Sequence, residues 1–447
     1  MTVNRRSVLK MFGAGAATAA LRPLWAAPQP KSDEYFLFVH AAGGWDVTLW
    51  ADPRNERTGL VEPASTDNTE IAPVTRWKSA KLDGDTDTFE ILAPGDVSLR
   101  LGPGIGDLYD LRSRLTIING LAMNTVSHPD GTTFSATGRH LQGGGVPASS
   151  IDVAMANELG TEQLLPDVAI QFPSSFVGDR LDRRSVPLRV SSAATIAKSL
   201  SRGDAYLDAS DRHAITAVLG DEASELARRS AFPETYERLA SQQSTLPHLL
   251  GDELEAAFTQ KALQTSYPQF NYKGRFQAQG AVSAAFAVEA MKRNLVRCVG
   301  FSLGGLDTHN QNYKQHAHTQ QELFGVIATL VKLLDTTPHP TRRASKLADH
   351  THILVFSDFC RTPQINLTGG RDHYPNNSAL VISPRFKGGI SYGKTDPEQL
   401  LPAAAGKFSE GLRPIAPPDL LATWLHAFGI EPRRYLRDGE VVTEILA

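Results

Sequence analysis

Cys298 and Cys360 are the only cysteines in this 447-residue chain, so disulfide staples cannot be what holds it together. Both lie inside apolar, strand-like runs, which predicts buried free thiols. Charge of one sign is missing as well. The chain has 45 lysines and arginines against 48 aspartates and glutamates, which leaves no basic footprint and excludes nucleic acid as an expected partner. Beyond Ala27 no stretch approaches the roughly 18 uninterrupted apolar residues of a membrane helix, so no stable membrane span is expected. Internal repeats are absent, and the Gly-Gly-x-Asp echo at 43–46 and 304–307 is too local to be a repeat architecture. What is present is 41% hydrophobic and 21% charged residues, ordinary for a globular α/β protein able to build a large core.

The first segment is an address. Asn4-Arg5-Arg6-Ser7-Val8-Leu9-Lys10 carries a twin arginine, and Met11 to Ala20 is too short and too rich in Gly and Ala to span a bilayer. Residues 1–27 read as a Tat signal cleaved near Ala26 or Ala27, with the Tat translocase as a partner during export and a periplasmic or secreted mature protein. The remainder, 28–447, is expected to be one domain.

Strands are predicted at Tyr35 to His40, Leu115 to Asn119, Asp167 to Ile170, Val296 to Ser302, His352 to Phe356 and Ala379 to Ile382, each a short, nearly continuous apolar run. Helical spacing marks Ser150 to Leu159, Gln277 to Asn294, His316 to Leu334 and Pro417 to Phe428, the last with its proline in the first turn. Between about 191 and 295 the composition shifts to Ala, Leu, Glu, Arg and Gln, which predicts an inserted helical block. Alternating strands and helices call for an α/β fold with a mostly parallel central sheet and helices on both faces.

Three apolar runs end in acids: Asp46 after FLFVHAAGGW, Asp307 after RCVGFSLGGL and Asp358 after HILVFS. The carboxyl ends of parallel strands meet at one crevice, and gathered carboxylates repel unless a cation or a proton joins them. His309, two residues past Asp307, and His373 in the Gly-rich loop TGGRDHYPNN add imidazoles at the same edge. Ser127 follows a strand and precedes a possible helix, where an anionic oxygen is well held, so it is a candidate nucleophile with His128 as its neighbour or as a further ligand. Arg361 and Asn377 are candidate substrate donors, because a guanidinium matches a tetrahedral oxyanion. A rival reading takes Gly300-Phe301-Ser302-Leu303-Gly304 as G-x-S-x-G and assigns a serine esterase of Ser302, Asp358 and His373. A third keeps the fold as an exported binding or assembly module without catalysis.

FLFVHAAGGWD, SHPDGTTFSATG, GGLDTH, SDFCRT and GGRDHYPNN together resemble, in order, the motifs of the domain-of-unknown-function family fifteen-hundred-and-one, a branch of the alkaline phosphatase-like superfamily. The resemblance implies an alkaline phosphatase-like α/β sheet whose edge holds one or two divalent metals, zinc or manganese rather than calcium, beside a Ser, Thr or Cys nucleophile. It places Asp46 and Asp358 on the ion nearer the nucleophile and Asp307, His309 and His373 on the other. Where the superfamily has Asp-x-x-x-His, this chain has Asp307-Thr308-His309, and where it has an Asp-His pair, this chain has Asp358-Phe359, so one imidazole is missing and His128 is the candidate to replace it. The expected activity is metal-dependent hydrolysis of a phosphate or sulfate ester, or of a related small anionic or envelope-associated substrate.

Overall fold

A computed structural model of the chain describes residues 32–54, 57–62, 99–178, 180–200, 209–230 and 252–447; the expected signal segment lies outside the described residues. An eight-stranded sheet organises them. Its strands are β1 (Tyr35–Ala41), β2 (Leu115–Ala122), β3 (Leu165–Ile170), β4 (Leu188–Val190), β5 (Val296–Leu303), β6 (Thr351–Ser357), β9 (Asn376–Ile382) and β10 (Ile390–Tyr392), while β7 (Cys360–Arg361) and β8 (His373–Tyr374) form a separate small ribbon. The order across the sheet is β10-β2-β9-β6-β1-β5-β3-β4. Only β9 runs against its neighbours, pairing antiparallel with β2 and β6, so the sheet is mostly parallel, as expected.

Side chains alternate across a strand, and β1 divides the core accordingly. Tyr35, Leu37, Val39 and Ala41 pack with the helices Ala278–Lys292 and Ala317–Thr336; Phe36 and Phe38 pack on the other face with Ile151–Leu159 and Pro417–Ala427. Both faces are therefore covered, which is why the central strands read as continuous apolar runs rather than alternating ones. Burying one such Leu or Phe is worth about 1.5–3 kcal/mol, so a handful outweighs the roughly 2–4 kcal/mol of a single disulfide. Cys298 and Cys360 are indeed free and buried. Within the region read as a helical block, helices occupy Ala193–Leu200, Ala209–Arg229, Asp252–Phe258 and Gln260–Ser266 ahead of Ala278–Lys292. Among the described residues no helix is long and apolar enough to cross a membrane.

This architecture gives the strands β1, β2, β5 and β6 a common carboxyl edge. Asp46 follows β1, the helix His128–Thr137 follows β2, Asp307 follows β5 and Asp358 follows β6 directly. The amino edge of the same strands carries Asp33 and Glu34 just before β1 and His352 at the start of β6.

Candidate metal centre

Two turns must come within backbone contact for the carboxyl edge to close, and glycine permits it. A Cβ on Gly43 would lie 2.4 Å from the Asp307 amide nitrogen, and its φ of +111° already disfavours any side chain. On the far side, a Cβ on Gly370 would lie 2.1 Å from the His309 carbonyl carbon, so the TGGRDH loop rests directly on the LDTH turn. Fully buried Arg361, on β7, then wires the turns together: Nε donates to Gly44 O (2.8 Å), Nη2 to Gly43 O, Leu306 O (2.8 Å) and Asp307 Oδ1 (2.9 Å), and Nη1 to Arg371 O (3.3 Å).

Around Asp307 Oδ1 three imidazoles converge. His128 Nε2 stands 3.2 Å away, His309 Nε2 3.1 Å and His373 Nε2 3.2 Å. Each ring is held from behind through its other nitrogen: His128 Nδ1 by Asp358 Oδ2 (2.6 Å), His309 Nδ1 by Asp372 Oδ1 (2.7 Å) and His373 Nδ1 by the Val126 carbonyl (2.9 Å). A carbonyl or an ionised carboxylate can only accept, so every Nδ1 carries the proton, and every Nε2 of a neutral ring turns a lone pair toward an anionic oxygen. Lone pair against carboxylate is repulsive. Three imidazoliums beside Arg361, or one cation among the four ligand atoms, would relieve it, and the cation leaves the rings neutral. His128 Nε2 is buried and makes no hydrogen bond, as an atom awaiting a non-hydrogen partner would. Two ligand atoms on a tetrahedral ion 2.0–2.1 Å away stand about 3.3 Å apart, close to the separations seen. His128, Asp307 and His373 keep their ligand atoms within 4.8 Å of one another; His309 falls outside that group and joins it only through the shared carboxylate oxygen.

The electrostatics follow the geometry. Burial alone would raise the Asp307 carboxyl, but the Arg361 hydrogen bond and, when the rings are protonated in place of a cation, a hydrogen bond from His373 and the charge of His128 outweigh it and hold the group well below the usual carboxylate range. His128 moves up, first through its hydrogen bond to Asp358, against desolvation, with the charges of Asp358 and Asp307 adding. For Asp358 burial again pushes up, and the charge of His40 with hydrogen bonds from His128, His40 and Thr132 drives the carboxyl low. Among the described residues the hydrogen bonds to Asp307 fall on Oδ1, and half its side chain is exposed (51%) on an open pocket of about 440 Å³ lined also by Gly43, His128, Gly305, Phe276 and Gln315.

Several expected site residues belong elsewhere. Asp46 is a correction: it is fully buried, Oδ1 accepts from the Thr48 amide (2.9 Å) and hydroxyl (2.6 Å), and Oδ2 accepts from Asn312 Nδ2 (2.8 Å) and lies 3.1 Å from Arg371 Nε. With both oxygens committed it caps the turn Val47–Leu49 and no atom is left for an ion. Asp358 is at the centre but is spent in the same way, since His40 Nε2, the Gly43 amide (3.0 Å), Thr132 Oγ1 (2.9 Å) and His128 Nδ1 fill both its oxygens; it orients His128 rather than facing the ion. Arg361 is a bracket between turns, and no donor of it reaches the pocket. Asn377 is buried, accepting from Trp45 Nε1 (2.7 Å) and donating to Ser357 O (2.8 Å), so it cannot bind substrate. Ser127 does start the helix His128–Thr137, but its hydroxyl makes no capping bond and it is absent from the pocket wall. Ser302 reaches Asp358 through His40, with Oγ 3.2 Å from His40 Nδ1, and has no link to His373.

Sequence reasoning gave Thr132 no role, placed His40 only in a candidate oxyanion loop, and noted Asp372 beside His373 without assigning it a partner. His40 hides inside a strand, and only its place one residue before the end of β1 marks it. Asp372 was adjacent to His373 all along, and its signal is the Asp-His pair itself.

Among solved structures, those of Ps i-CgsB alone and of Ps i-CgsB in complex with k-i-k-neocarrahexaose are similar over 89% and 92% of this chain and 72% and 75% of theirs. Both are 11% identical, with TM-scores of 0.36 and 0.37. No curated protein matches. Residues 99–440, most of the chain and every member of the imidazole cluster, match the family described as Protein of unknown function (DUF1501), and the chain belongs to that family.

Proposed function

We propose that the chain is an exported, metal-dependent hydrolase of phosphate or sulfate esters or related anionic groups, with one divalent ion held by His128, Asp307, His309 and His373. The observation that carries this reading is the set of three Nε2 atoms turned to one carboxylate oxygen while each Nδ1 is tied to an acceptor. Three imidazoles and one carboxylate suit zinc or manganese better than calcium. Such an ion would polarise the ester and lower the pKa of water. Asp358, Asp372 and Val126 O fix the three rings, and Arg361 fixes the Asp307 carboxylate. Thr308 is the only hydroxyl side chain on the pocket wall among the described residues, and it is bonded to His316 Nδ1 (2.7 Å), so water is the nucleophile. Asp307 Oδ2, on the pocket side, would accept a hydrogen bond from that water and orient it. Export rests on the twin-arginine segment.

Elemental analysis of protein purified without chelator tests the reading: about one zinc or manganese per chain is expected, with Asp307→Ala and His373→Ala emptied and model esters cleaved only by loaded protein. A folded chain that takes up no ion would overturn it. A second reading, serine esterase, is favoured by the Ser302–His40–Asp358 line, but Ser302 Oγ donates to Gln171 O (2.7 Å). Labelling of Ser302 by a fluorophosphonate would support that alternative.

A further inference from the structure

The pocket in front of the imidazole cluster has an unusual lining for a site that takes an anion: among its described residues there is no lysine or arginine. Arg361 is fully buried and committed to carbonyls and Asp307. An ester with two negative charges would therefore find, besides the ion and neutral donors, only the Arg275 guanidinium that is already stacked on Phe276. What the pocket does offer opposite the cluster is an apolar ring, Phe276, half-buried beside Gly305, where a Cβ would lie 3.7 Å from the ring edge.

Phe276 is held in place by more than packing. Its amide donates to Glu322 Oε2 (2.9 Å) and the Arg275 amide to Glu322 Oε1 (3.0 Å), so one carboxylate fixes two consecutive residues of the turn. The next residue, buried Gln277, donates through Nε2 to Gly304 O (2.8 Å), tying the turn to the end of β5 that carries Asp307. The Arg275 guanidinium stacks over the ring, 4.8 Å from its centroid, and covers one side of it. A half-exposed phenylalanine, the one large apolar side chain among the described residues of this wall and braced by hydrogen bonds on both sides, is a platform with one face to offer.

We infer that Phe276 is a specificity-determining residue that receives a ring or other flat apolar face of the substrate, and that the group bound at the metal centre carries no more than one negative charge. The inference rests on the proposed metal centre. It narrows the substrate class to monoanionic esters, such as a sulfate monoester or a phosphodiester, attached to a cyclic moiety.

Benzohydroxamate and acetohydroxamate test it, because they present the same monoanionic chelating group and differ only in ring against methyl. Titrated calorimetrically into zinc- or manganese-loaded protein, the ring compound should bind about tenfold more tightly. Phe276→Ala should reduce that preference to about twofold with the metal content per chain unchanged, and Phe276→Tyr should keep it. An equal preference in wild type and Phe276→Ala overturns the role of Phe276 while leaving the metal centre standing. A chain that loads no ion overturns the metal centre and this inference together; one that loads it and binds neither hydroxamate overturns this inference alone.

Discussion

The two edges of the one sheet carry nearly the same residues and put them to opposite use. At the amino edge, His339, His350 and His352 stand with Asp33 and Glu34; at the carboxyl edge, His128, His309 and His373 stand with Asp307, Asp358 and Asp372. At the amino edge His352 and His339 spend both ring nitrogens: His352 bonds Ser383 Oγ (2.7 Å) and Glu34 Oε2 (2.9 Å), and His339 donates to Asp33 O (3.0 Å) and accepts from the Arg342 amide (3.1 Å), while His350 Nδ1 stands 3.4 Å from Glu34 Oε2 without a hydrogen bond. At the carboxyl edge each ring spends Nδ1 and turns Nε2 inward. Burial drives His339 and His352 toward the neutral form, whereas His128 is raised by its acidic neighbours. Counting histidines and acids would not separate the two clusters. What separates them is whether the second nitrogens of three rings converge on one carboxylate oxygen.

The most direct way to break the comparison is to remove one inward-facing ligand. His373→Ala should weaken zinc or manganese binding by more than the roughly 10–100-fold that loss of an outer partner costs, with little change in the unfolding of the metal-free chain, because the ring is partly exposed and its backbone lies in a short ribbon. Competition against a fluorescent chelator measures the first and urea unfolding in EDTA the second. If His352→Leu emptied the site as thoroughly, the distinction between the edges would be lost.

A milder change sharpens it. Asp372→Asn keeps the shape but removes the charge behind His309, and should weaken metal binding about 10–100-fold without loss of fold, read in the same chelator competition. Asp372 is half-exposed, its carboxyl held low chiefly by the His309 hydrogen bond, so nothing in the core depends on it. At the other edge, His352→Leu should leave metal content alone and cost stability by about 1–3 kcal/mol, since Ser383 Oγ and partly buried Glu34 each lose a partner. Urea unfolding midpoints at equal slope test that outcome.

The contrast also explains what could be read from the letters alone. β1, β5 and β6 were legible to within a residue or so because strands covered on both faces are unbroken apolar runs, and the helices Ile151–Leu159 and Pro417–Ala427 because their faces repeat at helical spacing. The reversal of β9 was not legible, since an antiparallel strand in a covered sheet has the same composition as a parallel one. The gathering of Asp307, His309 and His373 was legible because strand ends point to one crevice. Asp46 was read onto an ion because it satisfies the same rule, and what excludes it is Asn312 and Arg371, more than 250 residues away in sequence. A residue's place at an edge is local information; whether its lone pairs are spent is not.

A third set of acids, with no imidazole, completes the comparison. Asp152, in the first turn of the helix Ile151–Leu159, and Asp167, on β3, are both buried, and no hydroxyl or N–H side chain reaches either carboxyl. Burial first, then the charge of Asp152 and a hydrogen bond with it, push the Asp167 carboxyl well above its usual value, so Asp167 favours its protonated form in the fold. Where the carboxyl edge gathers acids around basic groups, this pair solves the same repulsion with a proton. The folded state therefore holds a proton that the unfolded chain, with a carboxyl near pKa 3.9, releases. The stability this contributes is full below the unfolded value and is lost as pH rises through the folded one. Asp167→Asn supplies an amide donor to Asp152 and needs no proton, so at pH 7.5 it should be more stable than wild type by about 1 kcal/mol, the scale of one net hydrogen bond. That advantage should shrink as the pH is lowered toward 5, in urea unfolding at the two values. An advantage that grew on acidification would mean that Asp167 is ionised in the fold, and that some cation reaches this pair as one is proposed to reach Asp307.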